Sequence, residues 1–263
     1  MKKTNSFLNI DISEGKKIYF SSDNHLGAPN QKESLVREKR FIEWLDSIKG
    51  NASAIFLLGD LFDFWFEYKK VVPKGFVRVL GKLAELSDLG IPMYFFVGNH
   101  DMWMNGYFEQ ELNIKVFYSP KKFIINSKHF LIGHGDGLGP GDKGFKRMKK
   151  VFQNSISKLL FSWIHPDIGV RLAQYLSTKN KLLSGKEDVE FKGDENEWLA
   201  QYCKKILSKE NFEFFIFGHR HLPLDIKISD SSRYINLGDW ISYFSYAVFD
   251  GKDLELKFHK SNT

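Results

Sequence analysis

Cysteine is almost absent from this 263-residue sequence, in which Cys203 stands alone. A disulfide framework and a zinc site built on several thiolates are therefore excluded. Long uncharged apolar runs are missing as well, so no stretch reaches the roughly 18 to 20 residues that a membrane-spanning helix needs. The first residues, MKKTNSFLNIDISEG, lack the apolar core of a secretory signal. We therefore expect a mature, cytoplasmic chain.

The positive charge is concentrated in one segment. The whole chain carries a net charge of +6, whereas residues 142–186 contain ten Lys or Arg against two acidic residues, a local +8. Such a concentration indicates that an anionic partner binds there, either phosphates, an acidic membrane surface or nucleic acid.

Short apolar runs alternate with amphipathic segments through the first half of the chain. Residues 34–48 and 75–89 have the apolar spacing of helices, and the runs between them have the composition of buried strands. This βαβα order, with nearly continuous apolar strands, predicts an α/β fold with helices on both faces of a sheet.

A different pattern begins near residue 138. Residues 143–164 have apolar side chains at helical spacing and a basic opposite face, and further helical segments follow as far as Leu207. The strand pattern then returns with FEFFIFGHRH. We therefore expect a single domain over residues 1–263, with a helical cap inserted at about 138–207.

Five loops carry the same kind of polar residue, and each follows an apolar run typical of a strand. The five are Asp23-Asn24-His25, Gly59-Asp60, Gly98-Asn99-His100-Asp101, Gly133-His134-Gly135-Asp136 and Gly218-His219-Arg220-His221. Ligands of open α/β sheets bind beyond the carboxyl ends of the strands, so we expect the five loops to converge on one crevice.

Carboxylate, imidazole and amide side chains of this kind can hold two divalent ions about 3.5 to 4 Å apart. A single His or Asp after a strand is usually no more than a hydrogen-bonded polar residue. Five such loops in this order are much more specific, and they predict a dinuclear metal site.

The order D-x-H, G-D, G-N-H-D, G-H and G-H-x-H, from Asp23 to His221, resembles the calcineurin-like metallophosphoesterases. The resemblance implies an α+β sandwich, with a core of two packed mixed sheets flanked by helices. It also implies a hydrolase that uses two divalent metal ions, for which it favours Mn²⁺.

The same resemblance assigns roles to the residues. It places Asp23, His25 and His221 on one metal, Asn99, His134 and His219 on the other, and Asp60 between them. A hydroxide that bridges the metals would attack phosphorus in line. His100 would stabilise the developing charge or protonate the leaving group, and Asp101 would orient His100.

Further features are similar to the UDP-2,3-diacylglucosamine hydrolases of the lipid A pathway. The acidic and aromatic run GDLFDFWFEY contains the second loop, a basic helix opens after HGDGLGPGD, and YINLGDW follows the last loop. This resemblance covers nearly the whole chain. It implies cleavage of the pyrophosphate bond of UDP-2,3-diacylglucosamine to 2,3-diacylglucosamine 1-phosphate (lipid X) and UMP.

Two positions depart from the enterobacterial pattern of that family. His100 stands where arginine is expected, which restores the general metallophosphoesterase form GNHD, and Asp63 stands where glutamate is common. Both changes suit a divergent branch of the same family.

The cap is the expected lipid site, because a basic face beside an apolar face suits a diphosphate with two acyl chains. It also suits an anionic bilayer, so we expect peripheral binding to the cytoplasmic face of the inner membrane. The alternative is that the apolar face packs on the protein's own core, as in most amphipathic helices. The substrate-binding candidates are Asn99, His100, Asp142, Phe145, Arg147, Ser177, Thr178, Asn180 and Lys181.

Two other functions stay open at this point. A soluble metallophosphoesterase for nucleotides or other small phosphate esters would share the metal site and ignore acyl chains. A metal-free binding scaffold would not need the seven ligand candidates. Nucleic acid is not the expected partner, because the basic charge lies beside an apolar stripe rather than among aromatic-interleaved loops. No obligate protein partner is expected either.

Overall fold

The computed structural model describes residues 6–140, 143–173, 175, 191, 193 and 195–260. The described strands are β1 (Leu8–Ile10), β2 (Lys17–Ser21), β3 (Ala52–Leu57), β4 (Met93–Phe96), β5 (Lys115–Phe117), β6 (Lys121–Ile125), β7 (Lys128–Ile132), β8 (Phe214–Phe217), β9 (Pro223–Ser229), β10 (Ser232–Leu237), β11 (Ser245–Phe249) and β12 (Leu254–Phe258). The described helices are α1 (Gln31–Ile48), α2 (Val77–Asp88), α3 (Tyr107–Glu111), α4 (Lys143–Gln153), α5 (Ser155–Ser162), α6 (166–173) and α7 (Trp198–Leu207).

The strands form two sheets. The first has the order β12-β11-β2-β3-β4-β5, and the second has the order β1-β6-β7-β8-β10-β9. In the first sheet β2 to β5 are parallel, and β11 and β12 add an antiparallel edge. In the second, β7, β8 and β10 are parallel, whereas β6 and β9 pair antiparallel with their neighbours β7 and β10. The predicted core of two mixed sheets flanked by helices is confirmed.

Phenylalanine fills the space between the two sheets. The ring centroids of Phe20 in β2 and Phe130 in β7 lie 6.4 Å apart, and Phe56 meets Phe123 edge to face at 5.2 Å. All four rings are fully buried. Rings of this size bury a large apolar area in a layer about one side chain deep on each sheet, which is where many of the chain's 25 phenylalanines are used.

Helices cover the outer face of each sheet. Trp44 of α1 and Leu83 of α2 belong to the hydrophobic cluster on the first sheet, and Leu199 and Cys203 of α7 belong to the cluster on the second. The expectation of helices on both faces of one sheet was therefore wrong. Each sheet has helices on one face and the other sheet on its second face. Both arrangements bury a strand on two sides, so continuous apolar strands do not distinguish them.

The helix predicted over residues 143–164 is interrupted at Asn154. The backbone of Asn154 is extended (φ −68°, ψ 136°), and its side chain accepts a hydrogen bond from the amide of Ile156 at 2.8 Å. Asparagine in this position caps the helix that follows. The amphipathic stretch is thus divided into α4 and α5, and a change of direction is possible between them.

Helices α4 and α5 lie over aromatic residues of the loops after β3 and β4. Trp103 donates from Nε1 to the carbonyl of Phe152 at 2.7 Å, and the Phe161 ring lies 4.7 Å from the rings of both Trp103 and Phe66. The single domain with a cap at about 138–207 stays a prediction, since much of that range lies outside the described residues. Among the helices that are described, none is long and apolar enough to cross a bilayer.

Candidate metal centre

The five polar loops meet at one place, each directly after its strand. Main-chain hydrogen bonds join the first loop to the second, from the Asp23 amide to Gly59 O at 3.1 Å and from the His25 amide to Asp60 O at 2.9 Å. The Gly218 amide donates to His134 O at 2.8 Å and so joins the fifth loop to the fourth. The convergence that the sequence predicted is present in the structure.

Five of the seven candidate ligands have left-handed backbone. Their φ angles lie between 44° and 70°, in Asp23, His25, Asp60, His219 and His221. Side-chain-bearing residues seldom adopt this conformation, and when they do the surrounding structure holds them there, typically at functional sites. The loops therefore aim these side chains inward at a cost in local strain.

Glycine lets the loops approach closely. A Cβ on Gly98 would collide with the carboxylate of Asp60, and a Cβ on Gly218 would collide with that of Asp23. The absence of a side chain at these two positions is therefore what allows the two carboxylates to occupy the centre.

The first group of ligand atoms comprises Asp23, His25 and His221. Their ligand atoms all lie within 4.8 Å of one another. Nε2 of His25 is 3.2 Å from Nε2 of His221, and the two atoms lie 3.8 Å and 3.5 Å from Asp23 Oδ1. Two imidazole nitrogens and one carboxylate oxygen thus face a common point.

The second group comprises Asp60, His134 and His219, again with ligand atoms within 4.8 Å. Asn99 joins it, because its Oδ1 lies 3.2 Å from His134 Nε2. Asp60 Oδ2 lies 3.4 Å from His134 Nε2 and 3.6 Å from His25 Nε2, so one carboxylate oxygen stands between the two groups. The structure therefore brings all seven predicted ligands together, and their metal-binding roles stay predictions.

Three of the histidines are oriented by partners at Nδ1, the ring nitrogen that does not face the centre. His134 Nδ1 donates to the carbonyl of Leu58 at 2.7 Å. Nδ1 of His25 lies 3.3 Å from Asp63 Oδ1, and Nδ1 of His221 lies 3.3 Å from Asp239 Oδ2. An imidazole that donates through Nδ1 presents the lone pair of Nε2, which is how metal-binding histidines are usually held.

Two carboxylate oxygens at the centre fit a cation. Asp23 Oδ1 and Asp60 Oδ2 are buried, and neither accepts a hydrogen bond from any residue that the structure describes. A buried carboxylate oxygen without a hydrogen bond is costly, and a bound cation would remove that cost. The donor set of imidazole nitrogen, carboxylate and amide oxygen suits a divalent ion such as Mn²⁺, Fe²⁺ or Zn²⁺.

The charges of the cluster depend on one another. Burial would raise the pKa of Asp60, but the neighbouring histidines, His134 above all, hold that pKa well below its ordinary value. Burial likewise opposes protonation of His134, yet the Asp60 charge raises its pKa to about 10. Burial and the His134 charge lower the pKa of His219 to about 4. In the metal-free protein a proton on His134 balances Asp60, and a cation would displace that proton.

His100 is the partly exposed residue beside the first group. Its side chain is 16% exposed, and its Nδ1 lies 2.9 Å from the carbonyl oxygen and 3.8 Å from Oδ1 of Asp63. The sequence reasoning gave the orienting role to Asp101. The Asp101 carboxylate is instead fully buried, and it accepts hydrogen bonds from the amides of Leu61 at 2.9 Å and Gly98 at 2.8 Å. It holds the second and third loops together, and Asp63 contacts the His100 ring.

The predicted substrate-binding residues of the cap are mostly not described. Arg147 lies on α4 and is exposed. Asp142, Ser177, Thr178, Asn180 and Lys181 lie outside the described residues, and so does the side chain of Phe145. Their roles stay predictions.

Arg220, between two candidate ligands, was not singled out from the sequence. Its Nε lies 3.2 Å and 3.0 Å from the two carboxylate oxygens of Glu197, and its Cζ is 4.2 Å from the centroid of a Trp198 ring. Arg220 and Glu197 are each only 2% exposed. A Cβ on Gly139 would lie 2.6 Å from the carbonyl oxygen of Trp198. Both ends of the cap segment therefore meet beside the loop that carries His219 and His221.

We expect Arg220→Lys to weaken Mn²⁺ binding about ten- to a hundredfold, the range typical of residues that orient metal ligands. Lysine cannot reproduce the two contacts with one carboxylate, so the loop would be less well fixed. Titration with Mn²⁺ against a competing chelator measures the effect. Arg233→Lys is the matched control, because Arg233 makes a similar two-point contact with Asp225 away from the metal centre. Equal Mn²⁺ affinities of the two variants would contradict a role of Arg220 in orienting the metal ligands of its loop.

Comparison with known proteins agrees with this geometry. The family model of calcineurin-like phosphoesterases matches residues 16–223. A UDP-2,3-diacylglucosamine hydrolase of Porphyromonas gingivalis is 40% identical over 253 residues, which cover 92% of this chain and 97% of the relative. Enzymes of the same name from Pseudomonas entomophila and Proteus mirabilis are 26% and 29% identical, over 85% and 70% of this chain and 90% and 74% of their own. The chain belongs to the calcineurin-like phosphoesterases and, within them, to the UDP-2,3-diacylglucosamine hydrolase family.

Proposed function

We propose that this enzyme hydrolyses the pyrophosphate bond of UDP-2,3-diacylglucosamine and releases UMP and 2,3-diacylglucosamine 1-phosphate. The observation that carries the proposal is the convergence of seven candidate ligands around two buried carboxylate oxygens that accept no hydrogen bond from the described residues. The 40% identity to a named hydrolase, over almost the full length of both chains, supports the choice of substrate.

The metal ions of the proposal are two Mn²⁺ ions. Asp23, His25 and His221 would hold one, and Asn99, His134 and His219 the other, with Asp60 shared between them. When bound, such ions lower the pKa of a water molecule and neutralise charge on the phosphates. The polypeptide contributes the fixed geometry, because the strained loops and the Nδ1 partners keep the ligand atoms in place before substrate arrives.

His100 acts on the leaving group. With Nδ1 on the Asp63 carbonyl, its Nε2 can donate only when the ring is a cation. The charged ring then donates to the departing phosphate oxygen, either as a hydrogen bond or as a transferred proton. Asp63 is therefore a positioning residue for both His25 and His100.

The lipid half of the substrate lies on the side of the metal centre where His100 is found. The amide of Trp65 donates to the carbonyl of His100 at 3.3 Å, and on the same segment Phe64 and Phe66 contact Phe161 of the cap at 6.1 Å and 4.7 Å between ring centroids. An aromatic wall of this kind is suited to acyl chains rather than to phosphates.

The enzyme also docks on the cytoplasmic face of an anionic membrane. Five apolar side chains of α5, of the residue after it and of α6 are between 57% and 82% exposed, namely Ile156, Leu159, Leu160, Trp163 and Ile168. The first four lie at helical spacing on one face of α5. A row of this size is more than isolated surface residues and marks an interaction site.

Basic residues accompany the apolar row. Arg147 of α4 and Arg171 of α6 are exposed on the helices before and after α5. Exposed apolar side chains next to Lys and Arg are typical of surfaces that insert into an anionic interface. The sequence-based alternative, an apolar face packed on the core, holds for Phe152 and Phe161 and not for this row.

The substrate is tested by UMP release from UDP-2,3-diacylglucosamine, with UDP-glucosamine as the deacylated comparison. We expect Mn²⁺-dependent turnover that EDTA abolishes and that Asp60→Asn lowers on the order of 10³-fold, since the shared ligand is lost. Asp225→Asn, a surface change, is the control. Hydrolysis of bis(p-nitrophenyl) phosphate without hydrolysis of the lipid nucleotide would indicate a soluble phosphodiesterase instead. No hydrolysis with metal bound would indicate a scaffold.

Membrane docking is tested with Leu160→Ser/Trp163→Ser. We expect the double variant to sediment with phosphatidylglycerol-containing vesicles at least about tenfold less well than the wild type, because two apolar side chains no longer leave water. Val36→Ser/Val77→Ser, which changes two exposed valines of α1 and α2, is the control. Vesicle binding that is the same for both double variants would refute the docking surface.

A further inference from the structure

A cavity of about 420 Å³ opens beside His134, one member of the second ligand group. Its floor is the loop from His134 to Leu138, one wall is α4, and the other wall is the turn 118–120 after β5. The volume is within the range of roughly 300 to 1,000 Å³ that small-molecule sites occupy. The mechanism above uses only His134 of the residues that line it.

The α4 wall of the cavity is cationic. Lys146, Lys149 and Lys150 all line it. Lys146 Nζ donates to the carbonyl of Gly139 at 2.7 Å, and Lys149 Nζ lies 2.5 Å from Asp136 Oδ2. Two of the three ammonium groups are thus tied to the floor of the cavity, and Lys150 is exposed at its mouth. Asp136 also lines the cavity and offsets one of the three charges, and the remaining positive charge favours an anionic ligand.

The opposite wall offers an aromatic face. Tyr118 is 47% exposed and lines the cavity, and its hydroxyl donates to the carbonyl of Met104 at 3.1 Å. That hydrogen bond fixes the ring while leaving part of its surface open. Val97 and Pro120 extend the apolar area beside it. A fixed, half-exposed ring is suited to stacking on a planar base.

The two sides of the metal centre therefore differ in chemistry. The His100 side is bordered by the aromatic contacts of the cap, whereas the His134 side opens into a cavity with ammonium groups and one tyrosine. The two ends of the proposed substrate differ in the same way, because one end is an apolar lipid and the other is an anionic nucleotide. Since the aromatic wall suits the acyl chains, the cavity is left for the nucleotide.

We propose that this cavity binds the uridine monophosphate half of the substrate, with Tyr118 against the uracil base and Lys150 on the nucleotide's negative charge. The proposal rests on the proposed function, in which UMP is the nucleotide product. It fixes the direction in which the substrate crosses the centre, with the nucleotide beside His134 and the sugar phosphate beside His100.

The test is calorimetric titration of the Mn²⁺-loaded enzyme with UMP and, separately, with inorganic phosphate. We expect Tyr118→Leu to weaken UMP binding about tenfold, the size of a lost stacking contact, and Lys150→Gln to weaken it several-fold. Phosphate binding of Tyr118→Leu should stay within about twofold of the wild type, because phosphate has no base to stack on the ring, whereas Lys150→Gln is expected to weaken phosphate binding as well. Lys227→Gln, an exposed lysine of β9, is the matched control for Lys150→Gln.

The outcomes separate this proposal from the proposed function. UMP affinities that are unchanged in both variants, or a parallel loss of UMP and phosphate binding in Tyr118→Leu, would overturn the nucleotide subsite even if the lipid nucleotide is hydrolysed. Selective loss of UMP binding in an enzyme that does not hydrolyse the lipid nucleotide would uphold the subsite and refute the substrate. Retained metal content and an unchanged circular dichroism spectrum show that the variants are folded.

Discussion

Two buried carboxylate oxygens, Asp23 Oδ1 and Asp60 Oδ2, set the constraint on which the rest of this structure depends. Removing a charged group from water costs several kcal/mol even after the protein relaxes. A fold that keeps two such groups at its centre is organised to bind cations there. The inward Nε2 atoms, the left-handed loops and the side-chain-free positions at Gly98 and Gly218 all serve that arrangement.

The same centre explains why the molecule has two unlike sides. In the proposed function the diphosphate of the substrate lies at this centre, and its lipid and nucleotide ends lie on different sides of it. On one side the cap places Phe161 against Trp103 and exposes Trp163 to the surroundings. On the other, α4 turns its lysines towards a small cavity. In these proposals the helices α4 to α6 would serve a lipid end, a nucleotide end and a membrane surface.

The strand-end loops and the two-sheet core could be predicted because their signals are local or carried by family motifs. Residues that only hold another functional residue in place could not be predicted. Asp239 and Glu197 are remote in sequence from the loops they support, and only the packed chain shows that they contact His221 and Arg220. Asp101 was misassigned for the same reason, since sequence adjacency to His100 does not determine where a side chain points. The helix break at Asn154 could not be predicted, because the apolar residues keep their helical spacing on both sides of it.

The most direct measurement of the central claim is anomalous diffraction at the manganese edge from crystals grown with Mn²⁺. The account predicts two peaks roughly 3.5 to 4 Å apart, one bound by Asp23, His25 and His221 and the other by Asn99, His134 and His219. Asp60 should contact both. A single peak, or peaks that Asp60 does not join, would contradict the dinuclear centre and the function derived from it.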